Sequence, residues 1–551
     1  MIPAERSRPR TDFRALALYA FLTLLSFPHE LPGEIVFDLG LIMAWFGPAA
    51  LIVGINGQRP AHAMRIAFFA SLAGHVILFH WFYVVTVEYG HMPAALGLLA
   101  PLVPALYVSV FTALFAWLFA RVASGHRFEI VIGAILWVAV DWARGHFLGG
   151  FPWATLGYAL HLDWPLMGWV RWGGVYALSF FAALIGVALA RAWLDRTPAS
   201  WRKLAFSLGA IGLAHGCGLW LASPSLETTT TIRVAAIQGN IDQGQKWDQA
   251  RRDQIFDSYL ELSREAVQRD AQWILWPESA VPGLIEAEPE FLAGIAEIAR
   301  NQRVSFIVGG IGIDFDPVSR RLTQFYDSAF VIDSAGLLRD RYDKSHLVPF
   351  GEYVPLRDLF GQFFQSLARG LSNTDITPGA APRVLVIEAP AGASPGFEEM
   401  RVAVPICYEL LFPDLVRRFA SRGAGVLLAM TNDAWYGRTG APHQFLAMTA
   451  LRSAETARWT VRAANTGISA VIDARGRVRH STRLFEEALI VADVPVTTGA
   501  TPTIYARVGD AFAGVCVASS MLLLARRLVD DRASRRHERN QGSPRRRDRR
   551  E

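Results

Sequence analysis

The chain has 551 residues, 52% of them hydrophobic and 19% charged, and its mean hydropathy is +0.25. That is too apolar for an ordinary soluble protein, and the length allows two or more domains. The net charge of +5 sits at one end: residues 526–551 hold 11 Arg against 5 acidic residues, so the remainder is close to −1, which excludes the broad basic face of a nucleic-acid binder.

Apolar runs near the roughly 20 residues that a bilayer crossing needs are predicted at 13–30, 35–56, 66–88, 93–120, 128–147, 169–192 and 203–222, with an eighth at 506–525. The first does not read as a cleaved signal peptide, because no small-residue cleavage site follows and Phe27-Pro28-His29-Glu30 leads into the next run. Arg6, Arg8, Arg10 and Arg14 lie before or at the start of the first run. Arg59 and Arg65 follow the second, Arg121 and Arg127 the fourth, and Arg191, Arg196, Arg202 and Lys203 the sixth. The alternate loops 28–34 and 88–93 hold no Lys or Arg. By the positive-inside rule both termini are expected in the cytoplasm and residues 223–505 on the opposite side of the membrane. Ionisable residues within the runs are few, which argues against a proton or solute pathway through them.

Residues 223–505 have a different texture. Short β-like runs are predicted at 232–241, 273–278, 305–313, 325–333, 383–388, 401–407 and 425–432. Amphipathic helices lie between several of them; in 248–268, Ile255, Tyr259, Leu262 and Ala266 mark one face. The expected architecture is an α-helical transmembrane bundle of about eight spans plus an α/β sandwich domain. Its parts are 1–222 (about seven spans), 223–505 (the catalytic domain), 506–525 (a last span) and 526–551 (a basic, disordered cytoplasmic tail). No internal repeat and no glycine-rich phosphate loop is visible.

Of the three cysteines, Cys217 and Cys516 lie in apolar runs and behave as small hydrophobes. No pair has metal-ligand spacing or implies a disulfide framework. Cys407 stands alone in the polar segment, in Val404-Pro405-Ile406-Cys407-Tyr408-Glu409. Glu278 in Trp276-Pro277-Glu278-Ser279 and Lys344 in Asp343-Lys344-Ser345-His346 also end β-like runs, so strand ends on one sheet edge can bring all three together. A thiol attacks as its thiolate. A nearby carboxylate can take the proton, and an ammonium favours the thiolate and holds the oxyanion that forms on attack. His346 and His443 are not needed for this chemistry.

These three words, in order and spacing, resemble the signature segments of the carbon–nitrogen hydrolase (nitrilase) superfamily, which implies an αββα sandwich with a Glu-Lys-Cys triad over about residues 231–495. Within that superfamily, the flanking spans make the chain similar to the apolipoprotein N-acyltransferases. Supporting words are Ile237-Gln238-Gly239-Asn240-Ile241 with Lys246-Trp247, residues 347–355, Thr431-Asn432-Asp433-Ala434-Trp435-Tyr436-Gly437 and Phe151-Pro152-Trp153. The resemblance implies Glu278 as general base, Lys344 as oxyanion stabiliser and Cys407 as the nucleophile that becomes a thioester. Glu352 and Glu409 match further acidic positions: Glu352 to orient Lys344 or Cys407, Glu409 to fix the loop or meet the incoming amine. The backbone N–H of Tyr408 is a second oxyanion donor, Trp247 and Tyr408 are candidate walls of an acyl or lipid entrance, and Trp153 is a supporting position whose ordinary reading is a tryptophan at the membrane interface. It also implies a phospholipid acyl donor (phosphatidylethanolamine), a diacylglyceryl apolipoprotein acceptor, and no metal or organic cofactor. The alternatives are a membrane-tethered amidase or nitrile hydrolase of small substrates, and a non-catalytic membrane scaffold.

Overall fold

The computed structural model describes residues 11–223, 229–244, 246, 248–315, 321–349, 351–353, 376–390, 398–499 and 501–541. Among these, six helices are long and apolar enough to cross a membrane: Pro60–Leu78, Ala94–Ala123, Glu129–Gly149, Val175–Asp195, Pro198–Leu221 and Ala511–Arg535. Phe13–Leu25 is apolar but shorter, at 13 residues. The run expected at 35–56 is not one helix. It forms a strand at Ile35–Phe37, a single turn at Gly40–Met43, and a helix at Gly47–Ile55. Pro48 accounts for the restart, because it has no N–H to extend a preceding helix yet fits the first turn of a new one. The last helix continues to Gln541, past the point where a disordered tail was expected. There Asp531 pairs with Arg121 and, one turn away, with Arg527.

Apolar side chains point both into and out of this bundle. Leu16, Leu51, Ala63, Phe115, Leu136 and Val187 share an interior, whereas Phe69, Leu98, Val103, Phe206, Leu213 and Trp220 stay exposed. Such an outer surface is a liability in water and the natural boundary in lipid. The few ionisable groups inside are paired: Arg144 reaches Asp141 at 3.3 Å, and Ser179 donates to Asp141 at 2.9 Å.

A hairpin of β1 (His29–Leu31) and β2 (Ile35–Phe37) caps the first loop. The rest of the β structure forms two six-stranded sheets. The first contains β3 (Thr229–Gln238), β4 (Trp273–Leu275), β5 (Ser305–Phe315), β6 (Leu322–Ile332) and β7 (Leu338–Asp343). The second contains β8 (Leu385–Glu388), β9 (Glu399–Ala403), β10 (Val426–Thr431), β11 (Thr460–Ala464), β12 (Ala470–Ile472) and β13 (Val478–Ser481). A final strand, β14 (Ala488–Thr497), returns to the first sheet, giving the orders β14-β3-β4-β5-β6-β7 and β13-β12-β11-β10-β9-β8. Strands β3, β4 and β5 are parallel, as are β9, β10 and β11, and the flanking pairs are antiparallel. Both sheets therefore follow one plan, an antiparallel edge strand, three parallel strands, then two antiparallel ones, although no repeat is visible in the sequence.

Alternation along each strand sorts side chains into layers. Val234, Ala236, Trp273, Leu275, Ile307, Ala329 and Val331 face the second sheet. Ala235, Ile237, Ile274, Trp276, Phe306, Val308, Phe330 and Ile332 face the helices Arg252–Gln268 and Pro289–Gln302. Ile255, Tyr259, Leu262 and Ala266 are buried there, as the periodicity predicts. The second sheet carries Pro413–Ser421 and Ala441–Thr456, and its core continues into the bundle through Trp153, Tyr158, Leu166 and Tyr176. Val175 N–H donates to Glu455 at 2.8 Å and Trp153 Nε1 to Gln444 at 2.7 Å across this junction.

Candidate active site

The C-terminal ends of parallel strands are where open α/β sheets place their chemistry. Glu278 follows β4, Lys344 follows β7 directly, and Cys407 follows β9. Two antiparallel steps make β7 parallel to β5, so all three residues lie at such ends. Gly309 on β5 lets the Glu278 turn lie close: a Cβ there would come within 2.2 Å of Pro277 O. Ser279 (φ +49°) and Cys407 (φ +46°) sit in the left-handed region, a strain of about 1–3 kcal/mol each that the surrounding packing must sustain.

Lys344 is fully buried, and its Nζ donates to three carboxylates: Glu278 at 2.8 Å, Glu352 at 2.5 Å and Asp327 at 3.2 Å. Burial alone would lower the pKa of this ammonium, but the three acids hold it well above the usual lysine range. Lys344 is thus a fixed cation. Glu278, Asp327 and Glu352 have oxygens within 4.8 Å of one another, as carboxylate metal ligands do; here an ammonium occupies the centre. The Cys407 thiol is among the groups whose field acts on Glu278. Burial opposes its charge, yet Lys344, Asp327 and Cys407 together keep it ionised below the usual glutamate range. Burial, then the Glu278 charge, push the Cys407 thiol well up, only partly offset by Lys344. The two shifts favour a neutral Cys407 thiol beside an ionised Glu278.

Glu352 accepts from Lys344 with one oxygen and from Val348 N–H at 2.8 Å with the other. Of the two groups it was expected to orient, Lys344 is the one it contacts. Glu409 is fully buried and accepts from Ile406 N–H at 2.9 Å, Tyr342 OH at 2.7 Å, Ser345 N–H at 2.7 Å and Ser345 Oγ at 2.8 Å. It ties the Cys407 turn to the Lys344 loop and has no surface left for an incoming amine. Tyr408 stacks on His346 with ring centroids 5.7 Å apart, and His346 rests on Phe412. His443 bonds to Glu30 at 3.1 Å. Trp153 is buried among Trp81, Phe151, Tyr436 and Phe445, a strut between bundle and sandwich more than an exposed interfacial ring. Trp247 lies outside the described residues.

Three buried groups were not singled out from the sequence. Asp327 lies in β6 beside Lys344. Lys246 donates to Glu278 O at 3.1 Å, and burial, offset by Glu278, Asp327 and Cys407, brings it down to about 8. Asp433, paired with Arg462 at 2.6 Å, adds its field to Cys407. The sequence around Asp327, with Thr323, Gln324 and Ser328 in the same strand, does not set it apart; its burial beside Lys344 does.

A thiol, a carboxylate and an ammonium at the joined edges of two α/β half-sandwiches define a carbon–nitrogen hydrolase domain, here mounted on a membrane bundle. Residues 233–503 match the family model described as Carbon-nitrogen hydrolase, and residues 19–188 match that of the Apolipoprotein N-acyltransferase N-terminal domain. The chain is 34% identical to an apolipoprotein N-acyltransferase of Geobacter metallireducens, covering 94% of this chain and 95% of the relative. It is 30% identical to that of Vibrio vulnificus, covering 92% and 96%. Among solved structures, an amidase from Nesterenkonia sp. aligns with 53% of this chain and 98% of its own, at 19% identity and a TM-score of 0.36. The chain belongs to the apolipoprotein N-acyltransferase family: it is a multi-pass membrane acyltransferase of lipoprotein maturation.

Proposed function

We propose that Cys407 carries the acyl group in a two-step transfer, with Glu278 as general base and Lys344 as oxyanion stabiliser. The observation that carries this reading is the buried Glu278–Lys344 pair at 2.8 Å, with Cys407 buried at the matching strand end of the second sheet. In the first step Cys407 Sγ attacks an ester carbonyl of a phospholipid, and Glu278 takes the thiol proton as the S–C bond forms. Because the thiol is neutral at rest, proton transfer accompanies attack. Lys344, with the backbone N–H of Tyr408, faces the charge that develops on the carbonyl oxygen. Glu278 returns the proton to the leaving alkoxide, and a lysophospholipid departs. In the second step the α-amine of an N-terminal diacylglyceryl-cysteine attacks the thioester, and Glu278 receives the amine proton and returns it to the departing thiolate.

The sn-1 ester of phosphatidylethanolamine is the donor in this reading, and no metal or organic cofactor takes part. The membrane is the bacterial inner membrane, with the sandwich on the periplasmic side and both termini in the cytoplasm. The loop-charge alternation supports that orientation, as does the sandwich resting on the end of the bundle through Trp153 and Glu455. Trp247 and Tyr408 wall the entrance. Intact-mass analysis of protein incubated with phospholipid tests the reading. A fatty-acyl increment on Cys407, released by hydroxylamine and accompanied by lysophospholipid, is expected. Ammonia release from small amides with no acyl adduct overturns it.

A further inference from the structure

Asp327 is the member of the buried cluster to which the steps above assign no task. It is 5% exposed. Its Oδ2 accepts from Lys344 at 3.2 Å, and its Oδ1 lies 3.5 Å from Ser279 Oγ. One of its carboxyl oxygens is within 4.8 Å of those of Glu278 and Glu352. The charged and titratable groups around it come from several elements: Glu278 after β4, Lys344 after β7, Glu352 beyond it and Lys246 after β3.

Three acids surround one fixed ammonium, and two buried carboxyls in contact do not both ionise. One of them keeps a proton. Glu352 holds Lys344 at 2.5 Å and accepts a backbone N–H as well, so its charge is the best satisfied by contact. Glu278 holds Lys344 at 2.8 Å. Asp327 has the longest contact with the ammonium and, among the described residues, no backbone N–H at its carboxylate. We infer that Asp327 is a positioning residue that works as a neutral carboxylic acid, donating a hydrogen bond to the Glu278 carboxylate and keeping its own proton through both half-reactions. The opposite environments of the pair agree with this: burial and the Glu278 charge push Asp327 well above the usual aspartate range, while Glu278 is held below its own. The bond engages one oxygen of Glu278 and leaves the carboxylate to exchange a single proton with Cys407, the leaving alkoxide or the amine. The proton on Asp327 enters none of these transfers.

The inference rests on Glu278 being the base, and the test separates the two. The rate of acyl-adduct formation at Cys407 is measured by mass on the full chain with phospholipid, for wild type, D327N, D327A and E278Q. D327N, whose amide offers the same donor in the same shape, is expected within about threefold of wild type. D327A is expected to be about 10- to 100-fold slower, the scale of losing a hydrogen bond to a charged partner. An infrared difference spectrum, wild type minus D327N at neutral pH, is expected to show a carboxylic-acid C=O band. If D327N melts like wild type but is as slow as D327A, while E278Q is inactive, Asp327 is an anion balancing Lys344 and the inference is overturned. A D327A protein as fast as wild type, or a difference spectrum without the acid band, overturns it equally. An E278Q protein acylated at the wild-type rate removes the base itself and the inference with it.

Discussion

The two sheets share a strand plan and differ in what covers them. Helices Arg252–Gln268 and Pro289–Gln302 lie on the first sheet with one face dry and the other wet. On the second sheet, Ala441–Thr456 is buried on nearly every side, because the bundle closes over the face that would otherwise meet water. The chemistry divides along the same line. The half covered by amphipathic helices supplies Glu278, Lys344 and Asp327, and the half clamped to the bundle supplies Cys407 and Glu409. Glu278 and Lys344 thus stand on the water-facing half, and the Cys407 thiol stands on the half joined to the bundle.

The strongest way to break this division is to remove one side of it. Cys407→Ala abolishes the acyl adduct, and Glu278→Gln or Lys344→Met lowers its formation by about 10²–10⁴-fold, as loss of a general base or an oxyanion donor does. Lysophospholipid release and intact mass report both, and substantial turnover by any of the three variants contradicts the assignment. Next comes stability. Arg452 and Glu455 pair at 3.0 Å with almost no exposure, so Arg452→Leu strands a buried carboxylate at about 3–5 kcal/mol. The Arg269–Glu265 pair on the water-facing side is about half exposed, and Glu265→Ala costs less than about 1 kcal/mol there. Thermal unfolding in detergent compares them, and equal effects would erase the distinction between the halves.

A pH titration sharpens the same contrast. Burial, only partly offset by Arg452, raises Glu455 from the ordinary glutamate value to about 7. A raised acid binds more protons when folded, so its contribution is complete below pH 4.5 and is lost as pH rises through about 7. Wild-type stability is expected to fall by on the order of 2 kcal/mol from pH 5 to pH 8, and Glu455→Gln flattens that decline. A variant that keeps the full slope shows that another group carries it. A modest effect is expected at the junction: Trp153→Phe keeps a ring among Trp81, Phe151 and Tyr436 but loses the bond to Gln444, for about 1 kcal/mol. A loss several times larger in the same melts assigns Trp153 a role beyond the strut.

The same comparison explains what was legible. Ile255, Tyr259, Leu262 and Ala266 announced their helix because only one of its faces is dry. Ala441–Thr456 offers no stripe: Gln444, Thr449, Arg452, Ser453 and Glu455 are buried beside its apolar residues, bonded to one another, to backbone and to the bundle. Strand β13, exposed along its whole length, has no alternation to read, and β11 carries buried Arg462 inside its run. Glu278, Lys344 and Cys407 were visible because each stands in a distinctive word at a strand end. Asp327 was not, since Tyr326-Asp327-Ser328 has meaning only beside Lys344. The expected span at 35–56 failed because hydropathy registers apolar length and not the restart at Pro48.

By itself, the sequence determined the reacting groups, the membrane-embedded flanks and the α/β character of the middle, since these follow from side-chain chemistry and from periodicity along the chain. The tertiary structure alone decided that three acids share one ammonium, that Glu352 and Glu409 have different duties, and that the surroundings of Cys407 favour a neutral thiol. Protonation and positioning depend on burial and on through-space distances of a few ångströms. Those come from strands that are far apart in the chain and neighbours only in the fold.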